Sequence, residues 1–109
     1  MNGIGEAREN AAQGVRLRYL ELPGLRLELL APLTPDSPVG RFLARHPAGG
    51  LHHLSFAVPD LDAAAAHVAA AGGRTLGLAR NVDGARIAFV HPGASAAGLL
   101  VELEEHDAP

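Results

Sequence analysis

The strongest constraint on the fold of this chain is a repeated alternation of apolar and polar residues in short runs between turn signals. Apolar residues occupy every second position over residues 15–19, and they do so again over residues 25–29, after the Pro23-Gly24 pair. A period of two residues is typical of a half-buried β-strand, and Pro-Gly favours a tight turn. The two runs therefore predict an antiparallel hairpin.

Capping residues and helix breakers predict two helices after this hairpin. Asp36 or Ser37 can cap the first helix, which should end near His46. Asp60 can cap the second helix, which should end at Gly72. Further strands are predicted at residues 51–58, 74–79, 86–90 and 99–104. These elements together predict an α+β fold with a largely antiparallel sheet.

The length of 109 residues favours a single domain, within which four segments differ in pattern. Residues 1–14 are polar, have no clear period and are predicted to be an unanchored lead-in. The hairpin segment spans residues 15–35, and a linker that contains the first helix spans residues 36–50. Residues 51–105 are predicted to follow the order strand, helix, strand, strand, strand.

Composition excludes several classes of function. The net charge of −3 argues against nucleic acid as a main partner. The absence of cysteine excludes disulfide scaffolds, thiolate zinc sites and cysteine nucleophiles. No apolar run approaches the ~20 residues that a membrane-spanning helix needs, so no membrane partner is expected. The start of the chain has no signal-peptide pattern, which favours a cytoplasmic location.

Three side chains that can bind metals lie on the less apolar faces of three predicted strands. His53 lies opposite the apolar face that includes Leu54. Glu28 faces away from the leucines at positions 25, 27 and 29, and Glu102 faces away from Leu103. Imidazole and carboxylate ligands suit Co²⁺, Mn²⁺, Zn²⁺ or Ni²⁺, and without thiolates they favour an open catalytic site over a closed structural one. The same alternation also arises in any half-solvated sheet, where these residues would form only a solvated face.

The second half of the hairpin and the residues after it carry a family resemblance. Three runs carry it: LELLAPLTPDSPVGRFLARHPAGGLHHLSFAVPDLDAA (residues 27–64), RIAFVHP (residues 86–92) and GLLVELEE (residues 98–105). In these runs the chain resembles methylmalonyl-CoA epimerases of the vicinal oxygen chelate superfamily, which also contains glyoxalase I and ring-cleaving dioxygenases. The part of the first run that leads into GLHHLSF is the more specific to epimerases, whereas HHLSFAVPDLDAA indicates only the superfamily.

The resemblance implies a fold, a metal site and a reaction. In that family two βαβββ modules form a cup around one divalent metal ion, and residues 51–105 would be the complete second module. The resemblance implies, from their positions in the family's motifs, that Glu28, His53 and Glu102 are metal ligands. It also implies that Glu102 is a proton-transfer group. The implied reaction is the epimerisation of an acyl-CoA, at the carbon between thioester and carboxylate, through an enolate that the metal ion stabilises.

The chain departs from the family pattern at its start. Nothing matches the family's first histidine ligand in a DHVGIAV-like motif, so residues 15–35 are interpreted as a remnant of a first module without its first strand and helix. Such an uncovered sheet would expose apolar surface and a strand edge, which favours a homodimer. Two alternatives stay open: a glyoxalase-type lyase or isomerase, and a non-catalytic binding module or fragment of the same superfamily.

Overall fold

The computed structural model describes residues 4–91 and 100–106. The chain divides into two compact units, which we call unit 1 (Met1–Leu51) and unit 2 (His52–Pro109). In the described residues each unit contains a β-sheet and an α-helix, which confirms the α+β class. No helix in those residues is long and apolar enough to span a bilayer.

The described residues of unit 1 form an antiparallel sheet of three strands. Strand β1 (Arg8–Asn10) pairs with β2 (Val15–Leu22), which pairs with β3 (Leu25–Pro32). The β2–β3 hairpin is the predicted one, and Gly24 in its turn has a φ of 72°, which favours glycine. The prediction of an unanchored lead-in is wrong for residues 8–10, because β1 pairs along the edge of β2. Its sequence, Arg-Glu-Asn, has no apolar alternation that could have indicated a strand.

Helix α1 (Pro38–Arg45) follows the hairpin and begins at the predicted cap. The Gly40 N–H donates to Ser37 Oγ over 3.2 Å, and His46 is the C-cap residue. Gly40 lies against the preceding turn so closely that an added Cβ would be 2.3 Å from the Pro35 carbonyl oxygen. This close contact fixes the first turn of α1 against the loop that leads into it.

The strand register decides which side of the hairpin is buried. Val15 and Leu17 are only 6% and 3% exposed, and Leu17 pairs with Leu30. Glu28 pairs with Tyr19 and therefore lies on the same face as these buried residues. The opposite face carries a set of leucines that are 40–56% exposed, which we call the leucine face: Leu22, Leu25, Leu27 and Leu29.

The described residues of unit 2 contain four strands and one helix. These elements are β4 (Leu54–Val58), α2 (Leu61–Ala70), β5 (Thr75–Arg80), β6 (Arg86–Val90) and β7 (Val101–Glu105). The strands form a sheet in the spatial order β4-β7-β6-β5. Strands β4 and β7 are parallel, whereas β5–β6 and β6–β7 are antiparallel. Strands β4 and β7 therefore lie side by side, although α2, β5 and β6 lie between them in sequence.

Three predicted strands of unit 2 differ in their bounds. Strand β5 (Thr75–Arg80) is shifted by one residue from the predicted 74–79. Strand β4 begins at Leu54 rather than at residue 51, because the pairing with β7 starts at Leu54 and Val101. Residues 51–53 precede this pairing and have no regular structure. Leu99, the predicted start of the last strand, lies outside the described residues.

The core of unit 2 lies between α2 and one face of its sheet. Leu61, the first residue of α2 after the Asp60 cap, is 2% exposed. The helix packs over β5, β6 and β7. The other buried members of the cluster come from β6 and β7: Ala88, Val90 and Leu103.

The edge position of β4 limits how much of its apolar face is covered. The sequence predicts that Leu54, Phe56 and Val58 all pack on α2, but only Val58 contacts the core cluster. Leu54 is 42% exposed and Phe56 is 54% exposed. The prediction is wrong for these two residues because α2 packs over the other three strands.

Glu105 connects the start of α2 to the sheet. Its Oε2 accepts the Leu61 N–H over 2.7 Å, and Arg86 donates Nε and Nη2 to the two carboxylate oxygens over 2.9 Å each. The hydrogen bonds from Arg86, followed by that from Leu61, lower the pKa of Glu105 to about 2. The carboxylate is therefore ionised at neutral pH, beside the positive end of the helix dipole.

Candidate active site

The unit 2 sheet brings His53 and Glu102 together on the face opposite α2. Glu102 pairs with Ser55 in β4 and with Phe89 in β6, so these residues share one face of the sheet. Leu103, the next residue, belongs to the core under α2, and alternation therefore turns Glu102 to the other side. His53 lies just before β4, two residues from Ser55.

The two side chains are close and shielded from water. His53 Nε2 lies 3.7 Å from Glu102 Oε1, and the side chains are 12% and 11% exposed. The His53 ring meets the Phe89 ring edge-on, with 6.1 Å between ring centroids and an angle of 85°. This contact places an apolar wall beside the imidazole and fixes its plane.

Burial keeps His53 neutral. The loss of solvent, followed by the neighbouring His52, lowers the pKa of His53 to about 4. A neutral ring forms no ion pair with Glu102, and 3.7 Å exceeds hydrogen-bond distance. His53 therefore has a lone pair at neutral pH, which is the form of histidine that binds metal ions.

His52 is the residue of this site that the sequence did not indicate. Strand alternation would put His52 on the face of Leu54, away from His53, but its Nδ1 lies 2.8 Å from Nδ1 of His53. The two rings meet edge-on, with 5.1 Å between centroids. Side chains of consecutive residues point apart in a regular strand, so this contact depends on residues 51–53 lying outside the ladder. The sequence signal was the His52-His53 pair at a strand start.

Glu28 belongs to unit 1, where it lies in β3 opposite Tyr19. Among residues 4–91 and 100–106, no three His, Cys, Asp or Glu side chains form a group that could hold a metal ion. The structure thus brings together two of the three predicted ligands, and the role of Glu28 stays a prediction.

The donor atoms of His53 and Glu102 fit a divalent metal ion. A histidine nitrogen lies about 2.0–2.1 Å from a bound zinc ion and a carboxylate oxygen about 2.0–2.2 Å, so two such donors are at most about 4.3 Å apart. The 3.7 Å between Nε2 and Oε1 falls within that limit. One neutral nitrogen and one carboxylate oxygen are also ligands that Co²⁺, Mn²⁺, Ni²⁺ and Zn²⁺ accept.

Comparison with known sequences gives one family. The sequence model of the Glyoxalase/Bleomycin resistance protein/Dioxygenase superfamily matches residues 3–89, which include His53 and end before Glu102. An ethylmalonyl-CoA/methylmalonyl-CoA epimerase of Cereibacter sphaeroides is 38% identical over 105 residues, which cover 94% of this chain and 78% of that protein. The mitochondrial methylmalonyl-CoA epimerase of Homo sapiens is 34% identical over 104 residues. That match covers 94% of this chain and 58% of the human protein.

Comparison with solved structures agrees with the sequence matches. Streptomyces coelicolor methylmalonyl-CoA epimerase, as a variant bound to 2-nitronate-propionyl-CoA, superposes with a TM-score of 0.85 at 36% identity. The superposition covers 98% of this chain and 81% of that chain. At 36% identity, this structural match supports membership of the same family as well as the same fold.

Proposed function

Because the chain belongs to the Glyoxalase/Bleomycin resistance protein/Dioxygenase superfamily and to its methylmalonyl-CoA epimerase family, we propose that it epimerises a 2-alkylmalonyl-CoA such as methylmalonyl-CoA. The relatives described above are named for this reaction, and one of them binds a CoA thioester analogue. The proposal includes dependence on a divalent metal ion, with Glu28, His53 and Glu102 as ligands.

The observation that carries the proposal is the approach of His53 Nε2 to Glu102 Oε1. A buried neutral imidazole just before β4 and a buried carboxylate on the adjacent strand β7 supply two ligands of an open metal site. A divalent ion held there supplies Lewis-acid stabilisation of negative charge on the substrate oxygens.

Glu102 has the chemistry for the proton transfer. The carbon between a thioester and a carboxylate is acidic, because its conjugate base is delocalised onto the thioester oxygen. We assign to the Glu102 carboxylate the removal of this proton or its return, with a second acid or base acting on the opposite face of the carbon. Its burial limits competition from solvent for the proton.

The proposal predicts that Glu102→Gln abolishes deuterium uptake at this carbon when the protein and methylmalonyl-CoA are incubated with Co²⁺ in D₂O. Glutamine keeps the shape of the side chain and an oxygen that can bind a metal ion, but at neutral pH it acts as neither a general acid nor a general base. Mass spectrometry of the thioester measures the uptake. Treatment with a chelator should stop exchange by the wild-type protein, and added Co²⁺ should restore it.

Glu104→Gln is the matched control, since Glu104 lies two residues along the same strand and pairs with Asn81 and His106. This variant should keep its exchange activity. Retained exchange in Glu102→Gln would remove Glu102 from the mechanism. If the protein converts a hemithioacetal but does not exchange the proton of the acyl-CoA, the proposed epimerase activity is wrong and the protein is a glyoxalase-type enzyme. If it acts on neither compound, the protein is a binding module.

The leucine face supports a further part of the proposal, which is a homodimer. A contiguous set of half-exposed leucines is unusual on a monomer, and burying it would remove apolar surface from water. Light scattering would give the mass in solution, and a mass of one chain would contradict the dimer. The expected cytoplasmic location stays a prediction, which cell fractionation would test.

A further inference from the structure

The contact between the two neighbouring histidines defines where one proton lies. Nδ1 of His52 and Nδ1 of His53 are 2.8 Å apart, which is a normal hydrogen-bond distance. Burial disfavours the charged form of both rings and lowers the pKa of each. Two neutral imidazoles that share such a contact have one proton between them, which one nitrogen donates and the other accepts.

The position of Glu102 decides which nitrogen donates when the site binds a metal ion. Nε2 is the nitrogen of His53 that faces Glu102, so it is the nitrogen available for a metal ion shared with that carboxylate. Binding through Nε2 leaves the ring proton on Nδ1. The nearby acceptor for that proton is Nδ1 of His52, whose own proton must then be on Nε2.

We propose that His52 is a positioning residue, whose Nδ1 accepts the hydrogen bond from Nδ1 of His53 and so holds Nε2 of His53 toward Glu102. This inference rests on the proposed metal-dependent function and adds a residue outside the predicted ligand set. Outer hydrogen-bond partners of metal-bound histidines fix the ring orientation and the tautomer, and removing them weakens metal binding by about 10–100-fold. In this protein the partner is the preceding residue, which the irregular backbone of residues 51–53 makes reachable.

The test compares zinc binding by two variants at the same position. His52→Leu removes the acceptor and should weaken zinc binding about 10–100-fold in calorimetry. His52→Asn offers an amide oxygen close to the position of Nδ1 and should restore most of the affinity. His67→Leu, in helix α2, removes a histidine from the same unit and should bind zinc like the wild type.

A second readout follows the proton itself. In the zinc-bound wild-type protein, ¹⁵N NMR of the histidine rings should show the proton of His53 on Nδ1 and that of His52 on Nε2. The Nδ1 proton of His53 should exchange with water faster in His52→Leu and return toward wild-type exchange in His52→Asn. A general packing defect would not separate the two variants in this way.

Three outcomes would overturn the inference. Zinc binding by His52→Leu within twofold of wild type would show that the contact has no role in metal binding. Equal weakening in His52→Leu and His52→Asn would assign the loss to packing rather than to the acceptor. A wild-type protein that binds no zinc would overturn the proposed metal dependence together with this inference, whereas in the first two outcomes that dependence stands.

Discussion

The sheets of unit 1 and unit 2 share an antiparallel order of three strands but differ in what covers them. In unit 2, β7 lies between β4 and β6, with α2 over one face. In unit 1, β3 forms the edge of its sheet in the described residues, and its leucines at positions 25, 27 and 29 are 40–56% exposed. On β7, by contrast, Glu102 and Leu103 are only 9% and 8% exposed.

Alternation of apolar and polar residues thus specifies a strand without specifying how much of the strand is buried. Strand β3 is the more apolar of the two, yet the charged strand β7 contains a buried carboxylate. A helix connection and a parallel partner strand cover β7, and these are tertiary features that no local pattern encodes. The buried carboxylate of Glu102 accordingly belongs to the covered sheet.

The largest difference between the units should appear in core substitutions. Leu61→Ala in unit 2 should lower the free energy of unfolding by ~2–5 kcal/mol, because it leaves a cavity among the residues under α2. Leu27→Ala in unit 1 makes the same chemical change on the exposed leucine face. At protein concentrations where the chain is a monomer, it should change that free energy by less than ~0.5 kcal/mol. Urea denaturation followed by circular dichroism measures both. Equal losses would contradict the contrast in burial.

The ionic contact of Glu105 should make the stability of unit 2 fall with acid. The pKa of Glu105 is about 2 in the folded protein and near 4.5 without its partners, so its contribution is present above pH 4.5. This contribution is lost as the pH falls from about 4.5 through about 2. Glu105→Gln should therefore flatten the decrease in unfolding free energy between pH 5 and pH 3.

The control for this pH series comes from unit 1. Glu21→Gln removes an exposed carboxylate that pairs with Arg26, and exposed pairs contribute little to stability. This variant should keep the pH slope of the wild type. If Glu105→Gln also keeps that slope, then the hydrogen bonds from Arg86 and Leu61 do not hold the carboxylate ionised.

A charge on the leucine face should have the smallest effect on the free energy of unfolding but should change the oligomeric state. Leu27→Glu places a charge in the middle of the leucine face and should leave the unfolding free energy of the isolated chain within ~0.5 kcal/mol. If that face forms the proposed dimer, the variant should be a monomer in light scattering at concentrations where the wild type is a dimer. A dimeric variant would assign the interface to another surface.

Local patterns were sufficient for much of the secondary structure. Strand β6 has its predicted bounds, and α2 begins after the Asp60 cap as expected, because cap chemistry and apolar period are local properties. The sequence also indicated that His53 and Glu102 could lie close together, because alternation put both on the less apolar faces of their strands. The role of Glu28 was predicted in the same way and stays a prediction.

Features that depend on pairing were not predictable from one sequence. Val15 and Leu25 are both apolar, yet Val15 is buried and Leu25 is exposed. The hairpin register puts them on opposite faces of the sheet, and only the face of Val15 is buried. Phe56 lies exposed because β4 is an edge strand. The contact of His52 with His53 requires a short irregular backbone segment that no alternation rule describes.

The parallel pairing of β4 with β7 also has a kinetic consequence. Such a pair cannot form by a local hairpin, because the chain must first close the loop that contains α2, β5 and β6. The contact of Leu61 with Glu105 alone joins residues 44 positions apart. Contacts between residues far apart in sequence have an entropic cost of loop closure, and proteins rich in such contacts fold more slowly. His53 and Glu102 lie on either side of that closure, so their approach depends on a contact of high sequence separation.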